Sequence, residues 1–331
     1  MEYFGKVQKR LAYEASLVKQ KIQLANTLKK ASSQFTLIKD LINPFYMIGI
    51  PGSLHIMKLC AKYIPEYVNT VLVLNGMDEW EEEKARLLLS PKGIVRLNHS
   101  GVVPHGKVLD MLFRNMQNPF GIIDYDCFIF NAGIFNQITS LEPDVIVNSL
   151  FSKESPVFGK TPQTFFCFFQ TEIVRSIIQK YKVNCGITSF SKRIPKKAGN
   201  QLHIVGINEE NYPEAGKNYF DTLRLVISLG ISEGYRCNYL NNADASQPEN
   251  LDAFHVGGVA EPNSTYGWWA VRGSYFWWRA LETCEDEEIV FQYHQKYGNR
   301  KSSEIFDGFS EYRNQTKQSY FDIIERIVSQ P

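Results

Sequence analysis

The sequence predicts an α/β fold: a mostly parallel sheet flanked by helices, with an N-terminal helical extension and an aromatic, helical C-terminal tail. Three observations lead there. From Pro44 onward, short apolar runs alternate with helix-period stretches, the rhythm of strand–helix–strand units. Before Pro44 no proline interrupts, and Phe4, Val7, Leu11, Val18, Ile22 and Ala25 recur at helical steps, predicting a helix over 4–42. Beyond residue 260, tryptophans and tyrosines crowd a helical pattern. The expected segments are 1–43, 44–260 and 261–331.

Within the central segment each element has its own signal. "FYMIGI" is strand-like and gives way at Pro51-Gly52-Ser53 to a helix reaching about Lys62. "TVLVLNG" is a second strand closed by Asn75-Gly76. "DEWEEEKARLLL" is a helix with its carboxylates in the first turns, where the helix dipole favours them. "GIVRLNHSG" is a short strand entering a loop, "HGKVLDMLFRNM" a helix, and "FGIIDYDCFIF" a fourth strand. Further on, "QTFFCFFQ" is a strand, "TEIVRSIIQKY" a helix, "SFSKRIPKKAGNQ" a basic loop, and "NYFDTLRLVISLGISEG" a helix ending at Gly230 or Gly234.

At 331 residues and 44% hydrophobic content, the chain is long enough for a sizeable core, as one large domain or two. A net charge of +1 offers no overall argument for a nucleic-acid partner, and none is expected. Cys60, Cys127, Cys167, Cys185, Cys237 and Cys284 are scattered without a C-x-x-C pair, which argues against a zinc ribbon or disulfide framework. The start "MEYFGKVQKR" lacks an apolar signal core, and no apolar run nears the roughly 20 residues of a membrane span. A cytoplasmic location is the expectation. The basic face of the N-terminal helix (Lys19, Lys21, Lys29 and Lys30 among others) would serve a second subunit, its own domain, or the inner face of a membrane.

The chemistry concentrates in "GIIDYDCFIF". Asp124 and Asp126 interrupt an apolar run, and in a strand residues two apart share a face, so the carboxylates repel. A hard divalent cation, Mn²⁺ or Mg²⁺, relieves that repulsion and bridges to phosphate. D-x-D alone is a common tripeptide, and an exposed turn is its bland reading; the flanking apolar residues favour the functional one.

In order and spacing, "HSGVVPHGKVLDMLF", then "GIIDYDCFIF", then "FHVGG" about 130 residues later resembles glycosyltransferases of the GT-A fold, family 2-like bacterial enzymes above all, over roughly residues 44–260. The resemblance implies a nucleotide-binding sheet and a nucleotide-diphosphate sugar donor. It also implies a glycan or lipid-linked acceptor, inversion at the anomeric carbon, and a setting in surface glycan or polysaccharide synthesis. Carried over by position, Asp124, Asp126 and His255 would hold the metal. Pro51, Asn75, Asn98, His105, Gly106, Asp124 and Tyr125 would line the donor site. Asp221 would be the catalytic base, with Glu172 the second candidate and helix N-capping the competing role for Asp221. His105-Gly106 would open a helix toward phosphate. Trp268, Trp269, Trp277 and Trp278 offer sugar-stacking faces or core packing, and Arg272 or Arg279 a phosphate contact. The alternatives are a metal-dependent nucleotidyltransferase and a catalytically degenerate GT-A domain that binds a nucleotide sugar or partner.

Overall fold

The computed structural model describes residues 18–19, 21–99, 101–192, 194–241, 250–265 and 267–329. A helix over 21–32 (α1) and a 3-10 turn Ser33–Leu37 precede β1 (Phe45–Gly49), α2 (Leu54–Ala61), β2 (Thr70–Asn75) and α3 (Glu79–Leu89). Next come β3 (Gly93–Leu97), α4 (His105–Asn115), β4 (Phe120–Ile123), β5 (Cys127–Ile129), α5 (Gly133–Ile138) and β6 (Val145–Ser149). A hairpin, β7 (Ser152–Ser155) and β8 (Gly159–Pro162), leads to β9 (Phe166–Phe169), α6 (Thr171–Tyr181), α7 (Lys196–Ile204) and α8 (Arg224–Ser232). The chain continues through β10 (Arg236–Tyr239), β11 (Ala253–His255), α9 (Gly267–Glu282), α10 (Glu287–Tyr297), α11 (Ser310–Gln315) and α12 (Gln318–Ser329).

Seven strands form the main sheet in the order β10-β6-β9-β4-β1-β2-β3. β4, β1, β2 and β3 are parallel, β10 is parallel to β6, and β9 alone runs antiparallel to its neighbours. Both faces are covered, so the central strands are apolar on each side, as buried parallel strands must be. Tyr46, Val71, Val73 and Ile122 point into a core shared with α1, α4, α6, α7 and α8. Met47, Leu72, Leu74 and Ile123 point the other way, into a core completed by α2, α3 and the C-terminal helices, including Trp277 and Trp278. No helix among the described residues is long and apolar enough to cross a membrane.

Four expectations change. The N-terminal helix stops at residue 32, where a 3-10 turn tucks Phe35 and Ile38 against the sheet, and its residues 1–17 lie outside those described. Its buried side is Thr27 and Ala31 with Leu24 and Leu28, whereas Val18, Ile22 and Ala25 face outward. The run "FGIIDYDCFIF" is two strands, because the backbone turns at Asp124–Asp126 and β5 leaves the main sheet to pair with β11. The basic loop holds α7, which Pro195 opens with a backbone angle suited to a helix start; Gly199 inside it is tolerated. Finally, α8 starts at Arg224, so Asp221 is not its N-cap.

The edge strand β3 is closed without another strand. The Gln34 carboxamide donates to the Arg96 carbonyl (3.1 Å) and accepts from the Arg96 N–H (2.9 Å), and Thr27 Oγ1 donates to the Asn98 carbonyl (3.1 Å).

Candidate functional site

Because β1, β2, β3 and β4 are parallel, the residues at or just beyond their ends (Pro51, Asn75, Asn98 and Asp124) lie along one carboxyl edge of the sheet. Ligands of such sheets bind beyond that edge. Asp124 follows β4 directly and donates its N–H to the Phe165 carbonyl (2.8 Å) just before β9. The Cys127 N–H then bonds back to the Asp124 carbonyl (2.9 Å), closing a turn that carries Asp126 inward. The β5–β11 ribbon sets His255 opposite Cys127 and so beside both acids.

His255 Nε2 lies 3.3 Å from Asp126 Oδ1 and 3.6 Å from Asp124 Oδ2. One ligand atom from each of the three residues falls within 4.8 Å of the others. The imidazole stacks on the Phe165 ring, with centroids 3.6 Å apart, which fixes its plane. Asp126 is buried and its Oδ2 accepts the Gly257 N–H (2.9 Å). Burial pushes the Asp124 carboxyl up to about 7; Asp126 adds to the rise and His255 opposes it. Burial disfavours the His255 imidazolium, but the two carboxylates outweigh it and raise its pKa above 6.5. Two carboxylate oxygens suit a hard divalent cation such as Mn²⁺ or Mg²⁺, and the imidazole nitrogen favours Mn²⁺ of the two.

Gly257 and Gly258 both have φ +70°, and Trp269 lies on them: a Cβ on Gly257 would sit 1.8 Å from the indole. The two glycines therefore let an aromatic ring cover the turn next to His255, and Trp269 is 48% exposed there. Trp277 and Trp278 are core residues whose indole N–H groups donate to the Gly52 and Pro262 carbonyls. Arg272 is stacked between Trp268 and Tyr320, and Arg279 pairs with Glu325 and Glu282, so neither stands as a ready phosphate contact.

The other expected donor residues divide. Asn75 is buried, and its carboxamide bonds both to the Val103 carbonyl (2.9 Å) and from the Val103 N–H (2.8 Å). It pins the 101–104 loop, and both ends of its amide are already occupied. Asn98 is exposed and lines a groove against α1, on the outer side of β3. Gly106 is a packing glycine, since a Cβ there would lie 2.4 Å from Gly186 Cα. Asp110 fastens the same contact by accepting the Cys185 N–H (2.8 Å). Tyr125 is buried next to the acids. Pro51 begins the turn after β1. That turn is held by Glu81, a fully buried acid that accepts the Gly52 N–H (2.7 Å) and the Tyr293 hydroxyl (2.6 Å). Sequence reasoning took Glu81 for a helix-dipole residue and missed this role; nothing in an E-x-E-E-E run marks which acid turns inward.

Asp221 lies close enough to His105, at the N-terminal end of α4, to act on it electrostatically. Burial lowers the His105 pKa to about 4, against a pull upward from Asp221. Burial pushes Asp221 up, but Lys217 (2.6 Å) and the Thr222 N–H (2.8 Å) outweigh it and hold the carboxyl below 3.8. Glu172 is placed differently. It follows the end of β9 that pairs with the start of β4 at Phe120, whereas Asp124 leaves β4 at its far end. The sheet therefore removes Glu172 from the site.

Fold and site together are those of an α/β protein with a candidate metal centre at the carboxyl edge of a mostly parallel sheet. Comparisons with known proteins bear on its class. Residues 25–174, which include Asp124 and Asp126, match the StrH glycosyltransferase N-terminal domain family. A dTDP-dihydrostreptose–streptidine-6-phosphate dihydrostreptosyltransferase of Streptomyces griseus is 27% identical over 110 residues, 33% of this chain and 28% of that protein. The glycosyltransferase GlyE of Streptococcus pneumoniae TIGR4 overlays 80% of this chain and 66% of its own, with a TM-score of 0.43 and 10% identity. S. aureus TarS 1–349 gives 0.34 and 10% over 87% and 81%. The two sequence matches, and not these loose overlays, relate the N-terminal half of the chain to glycosyltransferases, and the chain spans little more than a quarter of the Streptomyces protein it matches.

Proposed function

We propose that this chain transfers a sugar from a nucleoside-diphosphate donor to an acceptor hydroxyl, with inversion and with Mn²⁺ or Mg²⁺ held by Asp124, Asp126 and His255. The observation that carries the reading is the convergence of two crowded carboxylates and one imidazole at the carboxyl edge of the sheet. When bound, the cation supplies charge neutralisation for the departing diphosphate. The chain's residues do the rest. Phe165 and the Gly257 N–H hold His255 and Asp126 in place before a ligand arrives. Trp269 offers an exposed ring on the flank of the site against which a sugar face can stack. Asp221, kept ionised by Lys217, takes the acceptor proton. Thymidine diphosphate sugars are the first donors to try, because the Streptomyces relative is named for one.

A thermal-shift screen of nucleotide sugars, with and without Mn²⁺, tests this. Stabilisation by a diphosphate sugar that needs the metal supports the transferase. Stabilisation by a nucleoside triphosphate, with none from any diphosphate sugar, would show a nucleotidyltransferase instead.

A further inference from the structure

We infer that the face formed by α1 and the outer flank of β3 docks on an anionic lipid bilayer. Residues Val18, Ile22 and Ala25 of the helical stripe are turned outward, Val18 and Ile22 at 55% and 57% exposure. Lys29 continues the same stripe, and Leu37 in the following turn is 87% exposed. Beside them run two grooves that meet at Gln34 and Arg96 and bring in Lys19, Lys30, Arg86 and Lys92. Among the described residues no aspartate or glutamate lines either groove. Arg96 is the one lining cation with a described ion pair, to Glu82 at 3.0 Å.

Apolar side chains set outward among cations give this face two kinds of contact at once. A bilayer carrying acidic headgroups satisfies both sets at once: phosphates meet the lysines, and aliphatic tips enter the acyl boundary. A soluble polyanion would satisfy only the charges, and so the lipid surface is the occupant that the aliphatic residues select. The grooves follow β3 from Gly93 to Asn98, so docking there leaves the site at Asp124, beyond the intervening β2 and β1, free. The inference does not depend on the transferase reading.

Flotation of the full chain with phosphatidylcholine vesicles, with and without phosphatidylglycerol, decides it. Binding is expected only to the phosphatidylglycerol vesicles. Lys30→Glu with Arg86→Glu should weaken it at least roughly tenfold, each cation being worth about 1 kcal/mol near such a surface. Ile22→Ser with Leu37→Ser should weaken it several-fold. Both pairs are exposed, so melting temperatures should hold; if the first pair melts early, Lys19→Glu with Lys92→Glu replaces it. No binding by the natural chain overturns the inference, as does binding indifferent to charge reversal. Heparin binding that matches vesicle binding and ignores the serine pair would reveal a soluble polyanion site and overturn it too.

Discussion

Replacing Asp126 separates its two jobs. One carboxylate oxygen accepts the Gly257 N–H at 2.9 Å in a buried setting, and the other lies 3.3 Å from His255. Asp126→Asn keeps an oxygen for Gly257 and removes the charge. Its fold should therefore stay within about 1 kcal/mol of the natural chain, since the lost attraction to His255 is offset by relief of repulsion with Asp124. Asp126→Ala strands the Gly257 N–H and should cost about 1–3 kcal/mol, a fall of a few degrees in melting temperature. Both variants would lose a ligand of the proposed cation. Outer-shell partners of such sites typically carry about 10–100-fold in affinity, so a direct ligand should carry at least the upper figure. Calorimetric titration of thymidine and uridine diphosphates with and without Mn²⁺ reads the binding, and thermal melts without metal read the fold. An Asp126→Asn protein that keeps metal-dependent nucleotide binding would refute the cation site. An Asp126→Ala protein as stable as the natural one would refute the role given to the Gly257 bond.

Further outcomes follow from the same geometry. Asp221→Asn should lower the acceptor-dependent rate by about 10²–10⁴-fold with donor binding unchanged, measured by steady-state transfer; a natural rate would end its assignment as base. Gly257→Ala meets both a left-handed backbone and the Trp269 ring, so a loss of more than about 2 kcal/mol is expected in chemical denaturation, with a shift in tryptophan emission. Burial raises the Glu214 carboxyl, but Arg224 (2.7 Å) and Lys217 (2.9 Å) outweigh it and hold it below 4.5. A lowered folded pKa means this stabilisation is complete above about pH 4.5 and fades as pH falls through the folded value. Acid titration of stability should show that fall, and Glu214→Gln should flatten it.

The parallel sheet was legible because burial on both faces leaves a plain trace, unbroken apolar runs such as "TVLVLN" between helix-period segments. The crowding of Asp124 and Asp126 was legible for the opposite reason, charge where apolar residues surround it. What stayed hidden depends on partners distant in sequence. Nothing around Asp124 shows that the strand ends there, because β5 is as apolar as β4 and its partner β11 lies more than 120 residues on. A two-acid strand face suggests that Asp126→Ala would stabilise the protein. The Gly257 N–H reverses that expectation, and it too comes from beyond residue 250. Among the tryptophans, spacing could not tell that Trp269 would stay half exposed beside His255 while Trp277 and Trp278 went to the core. In α1, two apolar stripes compete, and the one chosen by periodicity is the one left outside.

Gln34 bears on how copies of this chain can meet. A bare outer strand is a template on which another polypeptide can build a ladder, the common route to edge-to-edge aggregation. Here the outward N–H and C=O of Arg96 are both answered by one side-chain amide, and the Asn98 carbonyl is answered by Thr27. A visiting strand would have to displace α1 and break these bonds before making its first one. Any assembly on this side must therefore be built from side chains and helix surfaces. A variant such as Gln34→Ala would be expected to reveal its loss first as a tendency to clump on concentration, well before any loss of fold.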